Sequence, residues 1–577
     1  MSGMNKSNRA SEGVLLLLAS LVLLIGFALC LTAKTPAMRA PVTNINTSDA
    51  AHLASALKLD RSLADSIVAY RAEHGEFRAT ADLVRVRLLT SGQAKRLFDM
   101  QERQDLSALT AGQIVARLGL DSGRAARLVS ELSGYEPGRK VSEGRIARIP
   151  VIDGKHLRRV DSRIAVRTPG SVHLGFWSFA LLLPVGFMVL HGVMRRRAPG
   201  ADPFILPVIL LLTGLGVLGL LSVKDPLRDS FAAVDQLKGA LLGLAVAVVP
   251  LTEWFRSVRW RRYTYIYSIG AGVLMLLLLL FGEGPGNAKL RLLGFQPVET
   301  IKLLLIFFAA SYLAEHSLVL TDRTGPRRVF GLPAFRDVGP LAVMYLVSLS
   351  LFLLARDMGP MPLLFGTFAV MLWCATGKSS FVWVCGLLVL VTGWAAYAID
   401  LGVFGTRVDM WLHPWKNSHP NGMQLGESLW GMATGGIFGS GVGLGSPSAM
   451  PGAATDLIFA VIGEELGLVG SVGVLLLFSV LLVRGFRISL RARTDFDRCL
   501  AVGVTSLLGI QAVMIVFGVI GLTPLTGITL PFVSFGKSSL VISFLIAGLL
   551  LSISSDAIYG ASSVRPESRN AIRALAT

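Results

Sequence analysis

Long apolar runs broken by short polar or basic stretches recur along almost the whole chain. They occupy residues 13–33, 172–194, 203–223, 237–255, 263–282, 301–319, 340–355, 361–376, 381–403, 457–484, 499–521 and 538–554. Each is near the length a helix needs to cross about 30 Å of hydrocarbon. In lipid a helix satisfies its own backbone hydrogen bonds, so the pattern predicts an all-α polytopic membrane protein of about twelve spans. One stretch interrupts it. Residues 38–170 are hydrophilic and amount to one small domain between the first two spans.

Composition agrees and excludes an ordinary soluble protein: of 577 residues, 53% are hydrophobic and 16% charged, with a mean hydropathy of +0.61. The net charge of +18 invites a nucleic-acid reading, but its distribution fits topology better. Basic clusters at Arg195–Arg197, Arg256–Arg262, Arg323–Arg328 and Arg484–Arg498, with Lys6 and Arg9, fall on one side of the proposed membrane. The positive-inside rule makes that side cytoplasmic and places both termini there. The hydrophilic segment is then extracytoplasmic. Cys30, Cys374, Cys385 and Cys499 all lie in or beside apolar runs, so that segment carries no disulfide. Phe27-Ala28-Leu29 before Cys30 lacks the small residue of a lipoprotein cleavage site, and the first run reads as an uncleaved anchor.

The hydrophilic segment contains a repeat. Leu53-Ala54-Ser55-Ala56-Leu57-Lys58-Leu59-Asp60 aligns with Ile114-Val115-Ala116-Arg117-Leu118-Gly119-Leu120-Asp121, and each copy reads as two short helices, the second N-capped by Asp60 or Asp121. The first copy resembles the helix-hairpin-helix domain of ComEA-like proteins over residues 42–98. That family offers hairpin backbone N–H groups to a DNA phosphate. Here the hairpin, Leu57-Lys58-Leu59-Asp60-Arg61-Ser62, has no glycine and adds a carboxylate, so a spacer or protein-interaction role is expected over DNA binding. Alternation over 145–167 predicts a small β element leading back to the membrane.

Four polar segments are predicted at the outer ends of spans: Glu283–Lys302, Ala355–Pro360, Gly405–Asp456 and Thr523–Ser539. Together they supply cations (Lys289, Arg291, Lys302, Arg356, Arg407, Lys537) and carboxylates (Glu299, Asp357, Asp456). Cations suit a phosphate or pyrophosphate, and a carboxylate suits general-base work on a hydroxyl. Bland readings stand beside these. Asp456 fits a helix cap as well as a base, Glu299 and Lys302 fit an i,i+3 pair, and Gly435–Gly445 fits any tight loop.

The order of motifs resembles the SEDS family, the RodA/FtsW/SpoVE enzymes of shape, elongation, division and sporulation, over residues 203–556. Gln296-Pro297-Val298-Glu299 with Lys302 looks like its Gln-Pro-Ser-Glu-x-x-Lys; Gln424, Ser428 and Gly435–Gly439 look like its long outer loop. Thr455–Gly467 matches its most diagnostic run, and Leu530–Ser534 its last outer segment. The resemblance implies a ten-helix core preceded by two extra N-terminal transmembrane helices that flank a mainly helical outer domain. The expected division is 1–37, 38–170, 171–202, 203–556 and 557–577. It further implies a peptidoglycan glycosyltransferase that polymerises lipid II in the bacterial cytoplasmic membrane, with a class B penicillin-binding protein as partner. Asp456 matches the catalytic base, and Gln296, Glu299, Lys302, Lys289, Asp357, Arg407, Gln424, Ser534 and Lys537 are the candidate substrate contacts. A divalent cation, Mg or Mn, is the one cofactor the chemistry leaves room for.

The chain departs from the family pattern at Ala355-Arg356-Asp357-Met358-Gly359-Pro360, at Val298, at Gly452-Ala453-Ala454 and at Lys537, which stands where the pattern has glycine. A lipid II flippase and a non-catalytic scaffold remain open as alternatives.

Overall fold

The computed structural model describes the chain except residues 1, 39–41, 102–105, 107–108, 134–140, 153–156, 158–162, 230–231, 258–259, 285–290, 293, 322–338, 340–342, 344–345, 347–358, 399–402, 416–422 and 564–577. It forms two compact units: one of 1–33, 177–223 and 232–577, the other of 34–176 with 224–231. The expected outer domain therefore gathers in a short segment from beyond the third span.

Helix α1 (Ser2–Met38) opens the chain. In the smaller unit, α2 (Ala50–Leu57) and α3 (Arg61–His74) form the first repeat. After α4 (Ser91–Met100), α5 (Ala111–Leu118) and α6 (Ser122–Leu132) form the second. The hairpin needs a left-handed residue after its first helix, and Lys58 (φ 53°) and Gly119 (φ 65°) supply it. Asp121 caps α6 by accepting the Arg124 N–H at 2.8 Å. Asp60 holds the matching position but makes no side-chain cap bond. Its carboxylate lies instead against the other repeat: a Cβ at Gly123 would fall 2.7 Å from Asp60 Oδ2 and 2.7 Å from Ser62 Oγ. The expected β element shrinks to two residues, β2 (Ile164–Ala165), parallel to β1 (Thr43–Asn44), and 143–146 is a helical turn. Ile146, Ile149, Val151 and Ile152 are buried in the unit's core, and around Pro150 the chain makes an isolated antiparallel bridge to Arg87, with the Leu88 N–H donating to Ile149 O (2.9 Å) and the Val151 N–H to Val86 O (2.8 Å).

The larger unit continues with α7 (Pro169–Arg197), α8 (Ile205–Val223), α9 (Ala232–Ala247), α10 (Thr264–Phe281) and α11 (Pro297–Thr321). Next come α12 (Pro360–Thr376), α13 (Ser380–Ala398), α14 (Val403–Leu412) and α15 (Met423–Gly435). The last three are α16 (Ile458–Arg491), α17 (Asp495–Val519) and α18 (Lys537–Ser563). Among the described residues, 9 helices are long and apolar enough to cross a membrane, and Pro360–Thr376 and Ser380–Trp394 are shorter apolar helices. The expected span 340–355 lies outside the described residues apart from 343 and 346. The protein is thus an all-α, multi-pass membrane protein.

Helix α16 is broken. Gly467 (φ 65°, ψ −161°) interrupts it, which frees backbone groups that lipid cannot satisfy. The glycine-rich segment after α15 meets them. Ser440 N–H donates to Glu464 O (2.9 Å) and Gly441 N–H to Glu465 O (3.0 Å), while Leu468 N–H donates to Gly436 O (2.9 Å) and Val469 N–H to Ile437 O (3.1 Å). A Cβ at Gly439 would lie 2.1 Å from Glu465 O, so only glycine permits this approach.

Candidate active site

Asp456 ends a tight turn in which Thr455 N–H donates to Gly452 O (3.0 Å) and Leu457 N–H to the same oxygen (3.2 Å). The α16 N-cap is Leu457, without a side-chain cap bond, so Asp456 is not the cap. The turn is held by the last outer loop. Ser534 Oγ donates to Thr455 O (2.6 Å), and Phe535 N–H donates to Ala454 O (2.9 Å). Ser534 Oγ also accepts the Leu530 N–H at 2.8 Å. Gln236 clamps the same loop, donating to Ser534 O (3.0 Å) and accepting from Gly536 N–H (3.3 Å). Between these anchors Phe532 is buried in the left-handed region (φ 65°), a strained conformation that surrounding packing must hold.

The other outer segments reach the same loop. Arg407 on α14 donates from Nη1 to Thr526 O at 2.8 Å. A Cβ at Gly359 would lie 2.7 Å from that carbonyl oxygen. The Gln296 N–H donates to Ser538 Oγ (3.1 Å), and Gln511 donates to Thr529 O (2.6 Å). Gln424 Nε2 lies 3.8 Å from where a Gly452 Cβ would be, beside the Asp456 turn. Segments far apart in sequence thus converge on residues 523–539. Burial pushes the Asp456 carboxyl above the ordinary carboxylate range, while the Thr455 hydroxyl and the Arg407 charge pull it down.

Glu299 and Lys302 bind each other on the first turn of α11, Nζ to carboxylate 2.9 Å, with the lysine side chain 1% exposed. Lys537, expected to compensate for lost polar groups or to reach toward headgroups, pairs with Asp235 at 2.9 Å. Lys289 and Asp357 lie outside the described residues. Sequence reasoning left Glu464 and Glu465 without a role. Glu464 Oε1 accepts the Ser446 N–H (2.7 Å) and Glu465 Oε1 the Gly443 N–H (3.2 Å), which ties the glycine-rich loop to the half-helix after Asp456. Acidic residues inside an apolar run were the available signal. Among the described residues no group of three His, Cys, Asp or Glu is placed to hold a metal ion, and the Asp456 turn has an arginine beside it. No step below uses a divalent cation.

The family model for FtsW, RodA and SpoVE, described as "Cell cycle protein", matches residues 203–558. The chain belongs to this family. A separate helix-hairpin-helix motif model matches residues 40–97. Among curated relatives of this FtsW/RodA/SpoVE member, the peptidoglycan glycosyltransferase RodA of Mycobacterium leprae is 36% identical over 413 residues, 70% of this chain and 86% of the relative. Stage V sporulation protein E of Bacillus subtilis is 37% identical over 262 residues, 45% of this chain and 68% of the relative. A solved chain from work on "Structural coordination of polymerization and crosslinking by a peptidoglycan synthase complex" matches with a TM-score of 0.51 and 26% identity, covering 62% of this chain and 98% of that one.

Proposed function

We infer that this chain is a peptidoglycan glycosyltransferase, and we propose that it polymerises lipid II with Asp456 as the general base. The observation that carries the assignment of the base is the convergence of outer segments on the turn holding Asp456, whose half-buried carboxylate has a raised proton affinity and no capping duty. In this reading Asp456 takes the proton from the 4-hydroxyl of the acceptor N-acetylglucosamine as that oxygen attacks the donor's anomeric carbon. The bond to the undecaprenyl pyrophosphate breaks on the opposite face, with inversion. Arg407, Lys302 and Lys537 are the cations assigned to the departing pyrophosphate. Glu299, Gln296, Gln424 and Ser534 shape and hold the site. The catalytic face lies outside the cytoplasmic membrane with residues 38–170, on the side opposite the basic clusters. A class B penicillin-binding protein is the proposed partner, supported by the likeness to a chain of a synthase complex that couples polymerization and crosslinking.

The test is gel-resolved polymerisation of labelled lipid II by the purified chain with its transpeptidase partner. A general base contributes typically ~10²–10⁴-fold, so Asp456→Ala should remove that factor with the thermal midpoint unchanged. Equal glycan product from both proteins removes Asp456 from the role.

A further inference from the structure

Helix α1 lies outside the stretch matched by the family model, yet it is built into the membrane unit. One face packs on α8 through reciprocal small-residue notches: a Cβ at Gly214 would sit 2.3 Å from Leu23, and one at Gly26 would sit 2.9 Å from Leu218. Leu16, Leu23, Phe27 and Cys30 are buried, whereas Leu21, Val22, Ile25 and Leu29 on the other face are exposed.

Its register is fixed at both ends. Near its start, buried Arg9 donates to Ala198 O (3.0 Å) and Ala201 O (2.6 Å) and pairs with Glu12, which faces His191 at 3.4 Å. From Arg9 to Cys30 a helix rises roughly 32 Å, about the hydrocarbon thickness. At that far end a Cβ at Gly443 would lie 3.2 Å from Ala33 Cβ and 3.4 Å from both the Sγ and the O of Cys30. Gly443 is the residue whose N–H Glu465 accepts, and Glu465 lies on the half-helix that begins just after Asp456.

We propose that α1 is a positioning element of the active site: Cys30 and Ala33 seat Gly443, and through Glu465 that seat fixes the half-helix presenting Asp456. The proposal rests on the assignment of Asp456 as base. It makes the appended N-terminal helix part of the polymerase and more than a tether for the segment that follows it.

Two measurements on the full chain test it. The first places Gly443→Cys in a background where Cys374, Cys385 and Cys499 are alanine, and adds an oxidant. The introduced thiol should cross-link to Cys30, seen as a linked peptide by mass spectrometry, because a Cβ at 443 would lie 3.4 Å from the Cys30 Sγ. Oxidised and reduced forms should polymerise equally, as a fixed seat requires. Absence of the cross-link, or activity lost on oxidation and regained on reduction, overturns the proposal. The second compares Cys30→Trp with Leu29→Trp on the exposed face. A catalytic group misplaced by about 1 Å costs roughly 10²-fold, so Cys30→Trp, assayed well below its own thermal midpoint because overpacking this buried position also costs stability, should lower kcat by about that factor while KM for lipid II holds. Leu29→Trp should stay near the wild-type rate. An unchanged kcat for Cys30→Trp, or a rate that returns to the wild-type value once the assay runs well below the variant's own midpoint, sinks the positioning role. Activity retained by Asp456→Asn together with slow turnover in Cys30→Trp would reject the base and leave the seat standing.

Discussion

The Glu299–Lys302 pair allows structure and catalysis to be separated in one experiment. Lys302 Nζ sits 2.9 Å from the Glu299 carboxylate, with side chains 1% and 11% exposed. At 2.9 Å and an effective dielectric constant of about 20, the attraction is roughly 6 kcal/mol. Desolvation of both ions offsets most of it, so the pair adds little net stability; removing one partner costs about 3–5 kcal/mol, because the other charge is left buried and unpaired. Glu299→Gln should therefore lower the thermal midpoint by several degrees in detergent. Lys302→Met should lower it less, since Glu299 retains some solvent contact and gains from the α11 N-terminus. The double variant Glu299→Gln/Lys302→Met should regain most of the midpoint. If Lys302 meets the departing pyrophosphate, the double variant regains the fold and not the polymerisation rate. Wild-type polymerisation by the double variant would reduce the pair to scaffold. An unchanged midpoint for Glu299→Gln would refute the buried pair itself.

Other outcomes follow from the same geometry. Burial raises the Asp456 pKa and Arg407 opposes it, so Arg407→Gln should move the acid limb of the polymerisation pH profile to higher pH; a shift to lower pH contradicts the arrangement. With a folded-state pKa above the unfolded one, the stability contributed by Asp456 is present at low pH and lost as pH rises through that folded value. Asp456→Asn should therefore be at least as thermostable as wild type at neutral pH. Gly216→Ala drives a methyl to 2.2 Å from Val533 O, a backbone atom in the loop that holds Asp456, whereas Gly272→Ala meets nothing within 4 Å. Overpacking costs about 1–3 kcal/mol, so the first should lose stability and polymerisation and the second neither, by thermal melt and gel assay. The hairpin of the first repeat packs on Gly123 through Asp60 and Ser62, and the hairpin's carboxylate opposes a phosphate by like charge. Fluorescence anisotropy of labelled duplex DNA with the full chain should show no tight, salt-sensitive binding.

The site was legible in the sequence as a set of motifs and illegible as a set of contacts. Thr455-Asp456 could be singled out, but only the structure shows that Leu457 takes the N-cap and leaves Asp456 without that duty. The glycine-rich run read equally as flexible loop or substrate cleft. Its donors and acceptors turn out to complete a helix broken at Gly467, a pairing between separate segments that no local pattern announces. Lys537 looked like an unbalanced charge until α9 brought Asp235 beside it.

The sequence by itself determined the all-α membrane class, the inserted hydrophilic repeat and the family, because apolar length, charge distribution and motif order are one-dimensional signals. Tertiary structure alone decided which distant charges pair, as Lys537 does with Asp235, which glycines admit another backbone, and that α1 reaches Gly443. Those depend on distances between residues far apart in the chain, fixed by helix packing and by the need to satisfy every buried backbone group.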